Sequence, residues 1–305
     1  MEYLRAEMHC HNVFSNGHVG SLEPIHDCNV TIPQQLEQAY LAGLNVLFVT
    51  NHNTVDGYKQ MLEYKKNHQK FDELKVYPAE EVTTNNEAHV LVYGIDHVIK
   101  SGLSLHEILD EAKKQNAVTV APHPFSLLDA LRDDSIYCDL FEVFNSSNVD
   151  VYSNLRAKNF ASERDLHVVA GSDSHVRSTI GRSTNLIHSE NKLDSVIDAM
   201  KHHNVSIENT EYVQPKEALE HIRYKIQNSA FFIDKYTSQF YPRALWPIKL
   251  LYKLYMIDPE GIFWNIFYRI SIVALRRISR KINFEGYDHR LFRERNLVNI
   301  LKMII

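Results

Sequence analysis

Polar residues stand at the ends of this chain's apolar runs, and that placement constrains its fold more than any other feature. Over the first two hundred residues, short β-branched or apolar runs alternate with helical patterns. The strand-like runs cover 4–9, 45–52, 76–83, 89–95, 118–121, 140–145, 167–171 and 185–188. Helical patterns cover 31–44, opened by Thr31 and Pro33, and 104–115, opened by the capping box of Ser104 and Glu107. Two more cover 149–164 and 193–203. Such repetition predicts a parallel sheet or a barrel. His9, His52, Glu81, His123, Glu142 and Asp173 each fall at or just past the end of a different run. Side chains from many strand ends converge on one point only if the strands close; an open sheet would spread them along a line. The expectation is an irregular (β/α)-barrel.

Beyond about residue 210 the strand signal stops. Helical patterns over 217–237, 243–256, 260–281 and 290–305 carry dense aromatic and basic residues. We expect a barrel over 1–210 and a helical C-terminal extension over 211–305. Residues 262–275 are apolar apart from Asn265, Arg269 and Ser271, too interrupted to span a bilayer. They suit an interfacial helix or a packed one, so 243–281 is the candidate for peripheral membrane contact or self-association.

The formal net charge of −5 gives no electrostatic footprint for duplex nucleic acid, and none is expected as a partner. Cys10, Cys28 and Cys138 form no CxxC pair, and residues 1–7 carry no apolar signal core, so the expected compartment is the cytoplasm. The 17 histidines are the unusual count. Imidazole binds transition metals and titrates near neutrality, so their placement matters.

Six segments carry the chemistry. His9 and His11 sit two apart, on one face of a strand. His52 ends the second run, and Glu80-Glu81 lies at the end of the third. Glu81 suits a ligand shared by two cations, whereas Glu80 reads as a solvated acid. His89 leads into the fourth run, and His123 lies between Pro122 and Pro124, which restrict its approach. The sixth is Gly171-Ser172-Asp173-Ser174-His175. Each has an ordinary explanation; all six at strand ends share only one, a polynuclear metal site.

The blocks His9-Cys10-His11, Thr50-Asn51-His52, Pro122-His123-Pro124 and Gly171 to His175 resemble, in order and spacing, the PHP (polymerase and histidinol phosphatase) domain family, over about residues 4–208. The resemblance implies a distorted (β/α)7 TIM-like barrel and two or three divalent ions (Mn, Fe or Zn). It implies that His9, His11, Glu81 and Asp173 hold one ion, and that Glu81, His89 and His123 hold a second. His52, His175 and residue 16 would hold a third. The family commonly has Asp at positions 16 and 51; here both are Asn. Asn16 is a neutral, weaker ligand, so the third ion would be held loosely, be absent, or be recruited only with the substrate's phosphate.

The expected activity is hydrolysis of phosphate esters by a metal-bridging hydroxide, with Glu81, Asp173, His175 and Arg177 as catalytic residues. Substrates would be small phosphomonoesters, nucleotides or 5′ ends of short oligonucleotides. Arg177 is the candidate phosphate clamp, with Arg182 and Asn145 as further substrate contacts. One alternative is an amidohydrolase-like metal hydrolase, although Glu81 stands where those enzymes usually carry a lysine. Another is a metal-bound scaffold working by binding at a membrane surface.

Overall fold

In the computed structural model, which describes residues 3–20 and 23–305, nine strands occur among the described residues. They are β1 (Tyr3–Glu7), β2 (Val46–Val49), β3 (Lys75–Thr83), β4 (His89–Tyr93), β5 (Val118–Ala121), β6 (Leu140–Asn145), β7 (Val168–Gly171), β8 (Thr184–His188) and β9 (Val205–Asn209). They form one nearly closed, barrel-shaped sheet in the order β7-β6-β5-β4-β3-β2-β1-β8-β9. The barrel expectation holds, with more strands than seven and mixed directions. β1, β2 and β3 run parallel, as do β5, β6 and β7, while β4 and β8 are antiparallel to both neighbours. The turn 84–88 between β3 and β4 is too short for a crossover, which forces the reversal.

Ladder bonds do not join β7 to β8. The Asn185 carboxamide on β8 spans that gap instead, accepting from Ala170 N at 2.9 Å and donating to Ala170 O at 2.7 Å. A side chain supplies the rung that backbone would otherwise provide.

Strand alternation sorts the core into layers. Tyr77 and Ala79 on β3 face the interior, as do Leu91 and Tyr93 on β4, packing with Leu4, Ala6, Met8 and Phe48. Helix α5 (Leu193–Lys201) adds Val196 and Met200 to that cluster. Val82, Val90 and Val92 face outward against α3 (Leu105–Lys114) and α4 (Tyr152–Arg164). Helices α1 (Ile32–Leu41) and α2 (Asp56–Lys65) cover the opposite flank through Leu36 and Met61. Neither α2 nor β9 is among the elements expected from sequence. Only Gly57 and Met61 of α2 are buried, and β9 is mostly exposed, so neither carries a periodic apolar signal.

The helices of the extension are α6 (Pro215–Asn228), α7 (Ala230–Phe240), α8 (Leu245–Ile257), α9 (Ile262–Phe284), α10 (Arg290–Arg293) and α11 (Leu297–Ile304). The pattern over 217–237 divides at Ser229, and that over 290–305 at Arg295, whose φ of 55° is left-handed; Asn296 then caps α11. The C-terminal part of α9 docks on the barrel, where Ser279 Oγ donates to Asp150 at 2.6 Å and Asn283 accepts from Arg132 at 2.7 Å. Its N-terminal part leaves Ile262, Phe263, Ile266, Phe267 and Ile270 exposed, as α8 leaves Trp246 and Leu250. Among the described residues, no helix is long and apolar enough to cross a membrane.

Glu80 departs from its reading as a solvated acid. It lies within β3, points outward opposite Glu81, and is fully buried, with Ile99 N donating to its Oε2 at 3.0 Å. Burial raises its carboxyl from the usual 4.5 to about 8. Between those pH values the folded protein holds a proton that the unfolded chain has lost, so stability falls as pH rises across that window. Glu80→Gln should remove a penalty on the order of a few kcal/mol, visible in urea unfolding at pH 8 and absent at pH 4. An equal pH slope in both proteins would contradict this origin.

Candidate metal centre

The strand ends bring their polar residues to one place. Strand alternation slips between Met8, which is interior, and His9, so that His9 and His11 both face inward while Cys10 packs outward. Their rings lie 5.3 Å apart. Glu81 continues the inward series of β3 and occupies the middle. Its Oε2 lies 3.4 Å from His9 Nε2, 3.2 Å from His11 Nε2 and 3.3 Å from His52 Nδ1. Its Oε1 lies 3.0 Å from His89 Nδ1 and 3.1 Å from His123 Nε2. Asp173 Oδ1 approaches His9 and His11 Nε2 at 3.5 and 3.4 Å.

A second layer aims these groups. Glu142 Oε1 lies 2.9 Å from His9 Nδ1, and its Oε2 accepts from His123 N at 2.6 Å. That bond helps hold His123 at φ 29°, an unfavourable backbone for a residue before proline. Ser15 Oγ lies 3.1 Å from His11 Nδ1 and donates to Asn51 Oδ1 at 3.0 Å. Asn51 thus serves the support rather than the centre. Gly171 is required for space: a Cβ there would collide with the Glu142 carboxylate and His9.

Asn16 takes a different part from the one expected. Its Oδ1 accepts from Asp27 N at 2.7 Å and Cys28 N at 3.0 Å, and its Nδ2 donates to Cys28 O and Tyr224 Oη. The amide is spent on the loop that carries Asp27. Asp27 Oδ2 reaches His175 Nε2 at 2.8 Å and His52 Nε2 at 3.5 Å, and with His11 these form one group able to hold a cation. Asp27 follows no apolar run, so sequence spacing does not reveal it; only the amide at 16 hints that an acid must come from elsewhere. Asp129 is a second unforeseen acid, 3.5 Å from His123 Nδ1. Lys225 and His221 of α6 are also unforeseen. Lys225 Nζ donates to Asp27 Oδ1 at 2.7 Å, and the His221 ring stacks 4.6 Å from that of His175.

The substrate residues fare differently. Arg177 is exposed, and among the described residues its side chain has no hydrogen bond or ion pair. Arg182 is committed to Glu211 at 2.7 Å and to Glu217. Arg182 is thus held by carboxylates, whereas Arg177 is left free of them. Asn145 donates to Glu142 at 2.9 Å and to Asp173 Oδ2 at 3.3 Å, which makes it a support for both carboxylates.

Electrostatics favour cations here. Burial alone would raise the Glu81 carboxyl, but the imidazoles of His89, His52 and His9 hold it well below the usual range. Against the same burial, His175 and Lys225 hold Asp27 well below its own. His9 Nε2, His11 Nε2, His52 Nδ1, both His89 nitrogens, His123 Nδ1, Glu81 Oε2 and Asp27 Oδ2 are buried with no hydrogen-bond partner. Such atoms each cost about 1–3 kcal/mol unless something else satisfies them. Their chemistry, imidazole nitrogen with carboxylate oxygen, fits divalent transition metals. Among the described residues, five overlapping groups of these ligands with Asp129, Asp173 and His175 could each hold an ion.

Comparison with known proteins agrees. A family described as PHP-associated matches residues 151–205. An uncharacterized protein of Methanocaldococcus jannaschii, MJ1587, is 31% identical over 161 residues, which is 51% of this chain and 90% of that one. The chain belongs to the PHP family. A second uncharacterized protein from the same organism, MJ0417, is 27% identical over 158 residues; the alignment takes in 48% of this chain and only 60% of that protein. The PHP barrel also has the fold of PsfC from Pseudomonas syringae (TM-score 0.53, 16% identity, 74% of this chain and 99% of PsfC). It is likewise similar to the lesion-specific endonuclease Q of Pyrococcus furiosus (TM-score 0.50, 17% identity, 68% of this chain and 58% of that one).

Asp27→Ala should lower the ratio of divalent metal to protein retained by the purified protein, read by elemental analysis after gel filtration. Unchanged stoichiometry would remove Asp27 from the set of ligands.

Proposed function

We propose that this PHP protein hydrolyses phosphate esters, with His9, His11, Glu81 and Asp173 holding one divalent ion and Glu81, His89 and His123 a second. His52, His175 and Asp27 would hold a third. The observation that carries the reading is the Glu81 carboxylate, whose two oxygens face different sets of buried imidazoles. Bound Mn, Fe or Zn would supply Lewis acidity toward phosphoryl oxygens and a water of lowered pKa. The chain's own work is to fix those ligands: Glu142, Ser15 and Asn145 lock imidazoles and carboxylates before any substrate arrives.

Neither Ser15 nor Ser172 is set up as a nucleophile. Ser15 is bound to His11 and Asn51, and the Ser172 hydroxyl is buried against Glu7 at 2.5 Å, which favours water. Asp173 contacts ligands through Oδ1 while Asn145 steadies Oδ2, so its part is structural and electrostatic. The substrates we propose are small phosphomonoesters, nucleotides or short 5′ ends. Endonuclease Q has been seen with a duplex bearing an abasic lesion. For this chain, the net charge of −5 favours the smaller substrates.

His123→Ala or chelation with EDTA should abolish turnover of p-nitrophenyl phosphate, and added manganese should restore only the chelated wild type. Full activity of His123→Ala in metal-replete buffer, or faster cleavage of simple amides than of phosphate esters, would overturn the assignment.

A second reading concerns attachment. The exposed apolar faces of α8 and α9, flanked by Arg243, Lys253 and Arg269, support peripheral binding to an anionic bilayer through 243–281. Full-length protein should float with anionic liposomes, and Phe263→Glu with Phe267→Glu should stay at the bottom of the gradient. Equal flotation of the two would reject this role for α9.

A further inference from the structure

A cavity of about 580 Å3 opens beside the metal centre, and most of its wall comes from the C-terminal extension. Three contacts join it to the centre. Asp129 lies against His123, Glu23 Oε1 stands 3.9 Å from His89 Nε2, and Lys225 is paired with Asp27. All three of these residues line the cavity, and Glu87 adds another acid on the barrel side.

The far side has a different chemistry. Arg293 and Arg295 line it, and among the described residues neither has a carboxylate within ion-pair distance. Arg293 donates to Asn86 O, and the Arg295 guanidinium lies over the Tyr236 and Phe240 rings at 5.3 and 5.2 Å. Phe232, Tyr236 and Tyr241 complete this wall, with neighbouring ring centroids 5.5 and 6.2 Å apart. None of these three belongs to the extension's small core around Ile278, Ile282 and Met303. Neighbouring tilted rings with guanidinium groups that lack a carboxylate partner make a surface for a flat ring and an anion, since Arg can bind two oxygens of one anionic group and aromatic faces accept rings. The cavity is therefore polarised, with carboxylates beside the cation ligands and rings with guanidinium groups opposite.

Resting on the phosphoesterase reading above, we infer that the C-terminal extension builds the substrate pocket of this PHP site. It takes phosphoesters whose alcohol part bears a flat aromatic ring and a second anionic group. The phosphoryl group points to the barrel, the ring lies along Tyr236 and Tyr241, and the second anion meets Arg293 and Arg295.

The test uses the full manganese-loaded chain with 4-carboxyphenyl phosphate, phenyl phosphate and glycerol 2-phosphate. The value of kcat/KM should fall in that order. Arg295→Met and Arg293→Met should each lower the preference for 4-carboxyphenyl over phenyl phosphate about tenfold, chiefly through KM, and Tyr236→Leu should lower the preference for phenyl over glycerol phosphate. A melting curve for each variant checks that it folds. Binding of 4-carboxyphenyl phosphate to full-length His123→Ala, measured by calorimetry with and without Arg293→Met, gives a readout independent of turnover. Equal use of the three esters, or unchanged preferences and affinity in the variants, would overturn the pocket. If none of the three esters is hydrolysed, the phosphoesterase reading fails, and the calorimetry still decides the pocket by itself.

Discussion

The Glu81 carboxylate meets five imidazoles inside a barrel, and the rest of the fold is arranged to make that meeting tolerable. A buried carboxylate without compensation is costly, and histidine nitrogens with nothing to bind add to the cost. The protein offsets part of this with a supporting layer behind several of the ligands. Glu142 serves His9, His123 and Asn145 together, and Asn51 holds Ser15 behind His11. Positive φ at His123 and Asp173 adds strain that only such a framework can hold. Support and ligands therefore form one unit, and a change in either is felt in both.

The parts of this arrangement that follow strand periodicity were legible in the sequence. His9, His11, His52, Glu81, His89, His123 and Asp173 end or begin apolar runs, and a barrel is the closure that makes their positions converge. The acids outside strands were not legible. Asp27 lies in a loop whose path is set by the Asn16 amide, and Asp129 follows an irregular stretch after β5, so no period marks either. Glu80 shows the opposite failure: adjacent acids look alike in a sequence, yet a residue step in a strand reverses the face, sending one to the ligand cluster and the other into an apolar layer. Arg177 and Arg182 were favoured by nearness along the chain, and proximity of that kind says little about direction. One ends up in solvent and the other in a pair of ion bridges.

The extension changes how the barrel should be understood. Helix α6 reaches the ligand cluster through Lys225 and His221, and Tyr224 meets Asn16, so this wall of the site comes from beyond the last strand. Aromatic and basic residues that looked like a separate appendage stand beside the ligands. The same extension leaves apolar surface on α8 and α9. One appendage thus presents a polar lining to the centre and a greasy exterior elsewhere.

The Asn185 rung has a consequence for motion. Backbone ladders share load among many bonds, whereas the seam between β7 and β8 is bridged by side chains, the Asn185 carboxamide on Ala170 and the Ser172 hydroxyl on Ser183. Local opening should begin where cohesion is thinnest, and this seam sits three residues before Asp173 in β7 and its following loop. Breathing there would loosen one carboxylate of the centre while β1 to β5 stay shut, giving the cluster a soft side through which ions could exchange without the barrel unfolding.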